Sequence, residues 1–229
     1  MHRLLLLLAL ALATPSSAQS ARSLNTEGFR LYQAGKYPEA LEKFQAAAQA
    51  DPKLALAHYN VAATLGVLRK QGQVCQYEAY RDTILERLNT AVRLDPRRLT
   101  RAKEDADLDP IRDTVGWQRL LGRSPERLAD VPEILRRVTW YSPGEGVYGS
   151  TRKLTFSAGQ RVVLWRRVIE DEANPTRTEE VGGTYTLKGR TLTLSFPGKK
   201  PISGKMTPRG VLELEELGRF LDSPSECEA

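Results

Sequence analysis

The sequence contains few of the side chains that most metal and nucleophilic sites need. Among 229 residues there are two histidines and two cysteines, and only His58 lies beyond the N-terminal apolar run. One histidine and two distant cysteines exclude a zinc site with several imidazole ligands. A Ser-His-Asp triad would have to take His58 from within a helix pair, and no P-loop or dinucleotide fingerprint occurs. We therefore expect a protein that is not an enzyme, with no cofactor and no metal site.

A concentrated basic segment is also missing. The 34 basic and 28 acidic residues give a net charge of +6, and the excess is spread along the chain. Proteins that bind nucleic acid usually gather Lys and Arg into one stripe. Pairs such as Arg97-Arg98 and Arg166-Arg167 are isolated and are typical of solvated surface. The sequence predicts no nucleic-acid partner.

The N-terminal apolar run is too short to span a bilayer, which takes about 20 residues. It extends from Leu4 to Ala13, after Arg3 and before the small residues at 15–18. This order is typical of a secretory signal peptide, here over residues 1–18. We expect the mature chain to be exported, either periplasmic or secreted, and to have no transmembrane span.

Composition divides the rest of the chain into two parts. Helical spacing of Ala, Leu, Gln, Glu and Arg continues to about Leu121, and short alternating runs of Thr, Val, Gly, Tyr and Phe follow from about Val138. We predict an α+β protein with two domains, a short α-helical array followed by a small antiparallel β barrel or sandwich. The predicted boundaries are a helical domain at 22–122, a linker at 123–137, a β domain at 138–222 and a tail at 223–229.

One stretch of the helical part has a recognisable repeat pattern. Residues 24–52 read LNTEGFRLYQAGKYPEALEKFQAAAQADP. Gly28 and Ala40 are small enough to let two antiparallel helices approach closely, and Phe44 and Pro52 follow at regular offsets. The stretch resembles one tetratricopeptide repeat (TPR), a helix pair of about 34 residues. The resemblance implies a TPR-like array that binds a protein segment.

A second helical unit extends from Leu56 to Pro96 and is about ten residues longer than a usual repeat. Either an insertion lies at 72–80 or the second helix is longer. A continuous helical face favours the longer helix. The residues on this face are Tyr77, Tyr80, Ile84, Leu88 and Val92.

Alternating aspartates follow the second unit. Asp105, Asp107 and Asp109 are spaced as at the start of a calcium-binding loop, but Pro110 and Gly116 stand where that loop needs Gly and Glu. A helix cap explains the residues better, with Asp109 as N-cap and Pro110 in the first turn. The sequence therefore predicts a short closing helix that covers the last apolar face of the array.

The second half of the chain alternates with a period of two and predicts three hairpins. The run G-T-Y-T-L-x-G-x-T-L-T-L-x-F at 183–196 is similar to strand pairs in small lipocalin-like envelope barrels. Acidic residues cluster between two of the predicted strands, where a mobile loop is a commoner explanation than a catalytic carboxylate pair. These residues are Glu170, Asp171, Glu172, Glu179 and Glu180.

The two cysteines, Cys75 and Cys227, form an even pair in a chain that we expect to be exported. Such pairs commonly form disulfides. A bond between them would tie the tail to the helical domain. The alternative is a buried Cys75 and a free Cys227.

The predicted binding surface follows one stripe of the repeat. Asn25, Phe29 and Tyr32 share a face of the first helix, and Asn60 and Ala63 occupy the comparable positions of the second unit. The TPR resemblance implies that this stripe lies on a concave surface that receives a peptide. The alternative is that the β domain or the inserted residues cover it.

Two hypotheses about function remain. The first is a non-enzymatic exported adaptor that binds a protein or peptide partner in the cell envelope through its TPR groove. The alternative is a protein that holds an apolar small molecule or lipid inside the β barrel. A filled barrel interior favours the adaptor, and an open one favours the ligand carrier. The residues that decide between them are Trp165, Leu192, Leu194, Phe196 and Met206.

Overall fold

The computed structural model describes three segments of the chain, residues 20–144, 151–168 and 177–227. The predicted signal peptide lies outside these segments, and so do Glu170, Asp171 and Glu172 of the predicted acidic loop. Within the described segments, no helix combines the length and apolar character needed to cross a bilayer.

A helical array forms the first part of the molecule, up to residue 137. Its helices are α1 (Ala21–Gln33), α2 (Tyr37–Ala50), α3 (Ala55–Lys70), α4 (Val74–Tyr77), α5 (Arg81–Leu94), α6 (Arg98–Glu104), α7 (Val115–Leu120) and α8 (Val131–Arg137). Two 3-10 helices accompany them, Ala106–Ile111 before α7 and Leu128–Asp130 before α8. We call residues 105–111 the acidic segment.

The first two helices pack as the antiparallel pair that the sequence predicts. A Cβ atom on Gly28 would lie 2.8 Å from the ring of Phe44, so a larger residue in α1 would push α2 away. Gly35 turns the chain between the helices with a φ of +73°, a conformation that favours glycine. Ala40 and Phe44 are buried in the core of the helical array.

The second unit differs from the sequence prediction. The prediction of one long helix through Tyr77 and Tyr80 is wrong, because α3 ends at Lys70, α4 follows, and α5 begins at Arg81. Glu78 separates α4 from α5 with a φ of +51°. This left-handed conformation cannot continue a right-handed helix. The extra residues of the second unit therefore form an insertion between two helices.

The N-cap predicted at Asp109 is also wrong. Asp105 caps the acidic segment instead, because its side chain accepts a hydrogen bond from the Asp107 backbone N–H at 3.1 Å. Thr114 caps α7 by accepting a bond from the Trp117 backbone N–H at 3.0 Å. The aspartates thus belong to a separate 3-10 turn, and the closing helix starts after it.

The second part of the molecule is an eight-stranded antiparallel sheet in which each strand pairs with the next along the chain. The strands are β1 (Trp140–Tyr141), β2 (Arg152–Ser157), β3 (Arg161–Val168), β4 (Arg177–Lys188), β5 (Thr191–Ser195), β6 (Ile202–Met206), β7 (Leu212–Leu214) and β8 (Gly218–Phe220). Tyr141 and Leu221 exchange backbone hydrogen bonds of 2.7 and 2.8 Å, which brings the end of β8 back to β1. The sheet is a nearly closed barrel, and the predicted α+β architecture is confirmed.

Two features of the barrel differ from the sequence prediction. Strands β1 and β8 are not predicted, because with two and three residues they are too short to alternate visibly. Glu179 and Glu180 lie in β4, outside any loop. Glu179 accepts a hydrogen bond from Arg166 of β3 at 3.1 Å, so it is part of a cross-strand ion pair.

Buried side chains lie in the barrel interior. Four of the five residues that decide between the functional hypotheses are buried there: Leu192, Leu194, Phe196 and Met206. Trp165 instead lies half-buried on the outer face of β3, with Lys153 Nζ 4.3 Å from the centre of its ring. The stretch predicted as a linker contains α8, which adds three side chains to the barrel core: Val131, Ile134 and Leu135.

The residues that follow β8 fasten the barrel to the helical array. A disulfide joins Cys75 and Cys227, which are 152 positions apart. Beside it, Glu226 accepts two hydrogen bonds from the Arg69 guanidinium, at 2.6 and 2.7 Å. The tail thus contacts both α3 and the insertion that contains α4.

Arg81 is a buried cation at the same junction. Its Nη1 atom donates to the Asp222 carbonyl oxygen at 3.0 Å, and its Nη2 atom lies 3.1 Å from the Asp113 carboxylate. The guanidinium also lies 5.3 Å from the centre of the Tyr141 ring in β1. One side chain of α5 therefore contacts the array, the barrel and the tail.

Reduction of the disulfide should destabilise the protein strongly. A bond that closes so long a loop contributes about 5 kcal/mol in the chain-entropy model, because it restricts the unfolded chain. We expect urea unfolding in the presence of a reductant to show a correspondingly lower free energy of unfolding. A Cys75→Ser, Cys227→Ser variant should match the reduced protein and be insensitive to the reductant. Superimposable unfolding curves with and without reductant would contradict this prediction.

Candidate partner-binding groove

A concave groove lies where α1 and α3 face the acidic segment. It encloses a volume of about 80 Å³. Nine residues line it: Phe29, Tyr32, Phe44, Tyr59, Asn60, Ala63, Arg101, Asp105 and Asp107. They come from α1, α2, α3, α6 and the acidic segment, so the groove depends on the packing of the whole first half of the array.

The structure brings together the five residues predicted to bind a partner. Phe29, Tyr32, Asn60 and Ala63 line the groove directly. Asn25 lies behind them, buried, where its Oδ1 atom accepts a hydrogen bond from Asn60 Nδ2 at 3.0 Å. The predicted stripe is therefore a continuous surface, and its binding role stays a prediction.

Aromatic side chains form the floor and the rim of the groove. Phe44 and Tyr59 are buried and form the floor, whereas 48% of Phe29 is exposed at the rim. Tyr32 is half-buried and packs edge-on against Tyr37, with ring centres 5.1 Å apart. Phe29 is not covered by the β barrel or by the insertion, and Tyr32 is covered in part by the acidic segment.

The opposite wall of the groove is acidic. The Tyr59 hydroxyl donates to Asp105 Oδ2 at 2.6 Å, and the Tyr32 hydroxyl donates to Asp107 Oδ2. Lys70 Nζ donates to the other carboxylate oxygen of Asp107 at 3.0 Å. Tyrosines of α1 and α3 therefore hold both carboxylates in fixed positions.

Gly66 lets the acidic wall approach α3. A Cβ atom at this position would lie 2.0 Å from the Asp107 carbonyl oxygen, far inside any van der Waals contact. Because the obstacle is backbone, the acidic segment would have to move as a unit. The absence of a side chain at Gly66 thus places Asp105 and Asp107 within reach of the tyrosine hydroxyls.

Both tyrosines stay protonated over a wide pH range. Burial raises the pKa of Tyr32, and the hydrogen bond to the Asp107 carboxylate raises it further. Burial likewise raises the pKa of Tyr59, with a smaller contribution from its bond to Asp105. A neutral tyrosine is a donor to a carboxylate, so both bonds persist well above neutral pH.

Sequence reasoning missed part of this site. Sequence patterns connect Asp105 and Asp107 only with a calcium-binding loop or a helix cap, and they give no role to Tyr59 or Arg101. The one local sign of a role for Tyr59 is that it precedes Asn60, a predicted binding residue. No local pattern links α3 to a segment so far along the chain.

Among the residues that the structure describes, no group of three or more His, Cys, Asp or Glu is arranged to hold a metal ion.

Comparison with known proteins supports the repeat assignment for part of the chain. A family model described as the TPR repeat matches residues 28–66, from the middle of α1 to most of α3. Six of the nine groove residues lie in the matched range. Among curated proteins, none matches the chain. A TPR repeat is a protein-interaction module, and repeats of this kind bind along concave surfaces.

A Gly66→Ala substitution should destabilise the protein, although alanine is the better helix former. We expect the clash with the acidic segment to outweigh the gain in helix propensity and to lower the free energy of unfolding by about 1–3 kcal/mol. A Gly182→Ala variant is the matched control, because a Cβ atom there meets no atom within 4 Å. Urea unfolding of both variants checks the prediction, which fails if they are equally stable.

Alkaline pH should lower the free energy of unfolding. Unfolded Tyr32 and Tyr59 lose their protons near the ordinary pKa of about 10, whereas both keep them in the folded protein because their pKa values are raised. The folded state then binds more protons, so this stabilisation is complete below about pH 10 and is lost as the pH rises above it. We expect urea unfolding between about pH 8 and pH 11 to show this decline.

A Tyr32→Phe, Tyr59→Phe variant is the control for the alkaline decline. It should lose stability less steeply with rising pH, because the two groups that titrate differently in the folded and unfolded states are gone. Some decline should remain, since burial also raises the pKa of Tyr141. Identical slopes for the variant and the parent would show that the groove tyrosines are not responsible.

Proposed function

We propose that this protein is a non-enzymatic exported adaptor that docks a segment of a protein partner in the groove between α1, α3 and the acidic segment. The observation that carries the proposal is the position of Phe29, a large apolar side chain left exposed at the rim of a groove with a buried aromatic floor. Aromatic residues in such positions commonly act as binding anchors.

The dimensions of the groove favour a single anchoring side chain. Its volume of about 80 Å³ leaves room for a side chain of a bound segment. A bound segment would therefore lie across the groove and insert one residue. Phe29 at the rim would exclude water from that residue.

Asn60 is suited to hold the backbone of such a segment. Its side-chain amide has one oxygen acceptor and two N–H donors, and one N–H is used in the bond to Asn25. The second N–H and the oxygen can pair with a carbonyl and an N–H of an extended peptide. The bond to the buried Asn25 side chain fixes the orientation of the amide.

The barrel has a supporting role in this proposal. Buried side chains occupy its interior, which favours the adaptor over a carrier of an apolar ligand. About three stacked repeats are usually needed for a stable array, and this chain has fewer. The Arg119 guanidinium donates a hydrogen bond to the Arg209 carbonyl oxygen at 3.2 Å, which joins α7 to the barrel. The barrel thus takes the place of a further repeat.

Export is supported by two independent features. The first 18 residues have the order of charge, apolar run and small residues that is typical of a signal peptide. The disulfide between Cys75 and Cys227 is of a kind that persists in oxidising compartments. We therefore propose a periplasmic or secreted location and a partner in the cell envelope.

Site-directed photo-crosslinking tests the proposal. A photoreactive phenylalanine analogue replaces Phe29 in the full chain produced in its own host, and the same analogue at Leu128 is the control. Leu128 is a comparably exposed apolar residue, 57% exposed, and does not line the groove. We expect a discrete crosslinked protein from position 29 that is absent from position 128 and is reduced by an added Asn60→Asp substitution. Identical products from both positions, or none from position 29, would overturn the proposal.

A further inference from the structure

We propose that the groove selects a lysine or arginine side chain of its partner, held by the two carboxylates of the acidic wall. The inference rests on the docking function proposed above and specifies the chemistry of the docked segment. It combines three observations: the shape of the groove, the orientation of its carboxylates, and the balance of charge around it.

The walls of the groove fit the stem of a long basic side chain. Phe29, Phe44 and Ala63 provide an apolar surface beside the floor residue Tyr59. Lysine and arginine bury their methylene stems along such surfaces while the charged end reaches a polar group. Aromatic faces near the charged end add a favourable cation–π contribution.

The carboxylates at the end of the groove have capacity for another donor. Asp105 accepts one bond from Tyr59 and one from the Asp107 backbone N–H. Asp107 accepts one from Tyr32 and one from Lys70. A carboxylate offers about four acceptor positions, so each can accept a bond from a partner cation as well. Because the tyrosines fix both groups, little further ordering is needed on binding.

The charges around the groove leave one carboxylate without a cation. Lys70 Nζ already pairs with Asp107 at 3.0 Å. Arg101 also lines the groove, but in the described part of the chain no ion pair within 4 Å joins a cation to Asp105, whose carboxylate accepts bonds from Tyr59 and from the Asp107 backbone N–H. A basic partner residue would supply the missing cation, whereas an acidic one would meet the unpaired charge of Asp105.

A substitution of Arg101 distinguishes binding of a basic side chain from binding of an acidic one. If the groove binds a basic side chain, Arg101 repels the ligand, and an Arg101→Gln variant should bind more tightly. If the groove instead binds an acidic side chain through Arg101, the same variant should bind more weakly. The sign of the change therefore distinguishes the two chemistries.

The experiment uses the full chain and a positional-scanning library of degenerate ten-residue peptides, immobilised and probed with labelled protein. We expect lysine or arginine to be selected at one position. A selected peptide is then compared with its norleucine analogue, which keeps the stem and removes the charge. We expect the analogue to bind about tenfold more weakly, since a hydrogen bond to a charged group is lost.

Substitutions in the protein test whether Asp105 and Asp107 bind the charged end of the peptide side chain. An Asp105→Asn, Asp107→Asn variant keeps the shape of the side chains, removes their charge and leaves one acceptor oxygen on each, and it should bind the lysine peptide and its analogue equally. Asp109→Asn is the matched control, because Asp109 lies in the same segment, is exposed and does not line the groove. Near-ultraviolet circular dichroism verifies folding, and the peptide comparison with the parent protein decides the question even if the double variant does not fold.

Each outcome is decisive. Selection of a basic residue that is lost in a Phe29→Ala variant supports the inference. If the bound peptides instead carry a selected acidic or apolar residue, and the Phe29→Ala variant no longer binds them, the inference is overturned and the docking function stands. Peptide binding that is unaffected by Phe29→Ala, or no peptide binding, overturns both proposals.

Discussion

A helical array with fewer than about three repeats cannot bury its own last apolar face, and the architecture of this protein follows from that constraint. The acidic segment and α7 close the array by burying Leu108, Ile111 and Trp117 in its core. Val115, in the same closing helix, belongs to the barrel core instead. The closing helix is therefore shared between the two parts, and neither part has a complete core without it.

The same constraint creates the groove. In a longer array the face of α3 would meet another repeat, but here it meets a 3-10 turn that carries two aspartates. Gly66 allows the turn to approach until its carboxylates reach the hydroxyls of Tyr32 and Tyr59. One wall of the site thus comes from the repeat and the other from the element that ends the array. The residues that the TPR family model matches, 28–66, do not include the acidic segment.

Short-range patterns predicted much of the fold. Gly28, Ala40 and Phe44 indicate a close helix pair because their spacing depends on local geometry alone, and alternating apolar residues indicate the central strands for the same reason. The break at Glu78 was missed because the flanking residues keep a helical period across it. Strands β1 and β8 were missed because they have too few residues to show a pattern.

The sequence predicted the groove residues on α1 and α3 but not those of the acidic segment. Asn25, Phe29 and Tyr32 follow from the period of one helix, whereas Asp105 pairs with Tyr59 across 46 positions of sequence. No local rule connects residues so far apart. Trp165, one of the residues named to decide between a filled and an open barrel, lies on the outer face of β3, because strand periodicity identifies two faces without saying which one meets the core.

The disulfide has a consequence for how the protein is made. During synthesis Cys75 emerges long before Cys227, and the intervening residues include the whole barrel. The bond can therefore form only after the barrel strands have been produced. A chain interrupted anywhere within the barrel lacks Cys227 and cannot form the bond. The bond is thus a covalent mark of a chain whose barrel has been synthesised to its last strand.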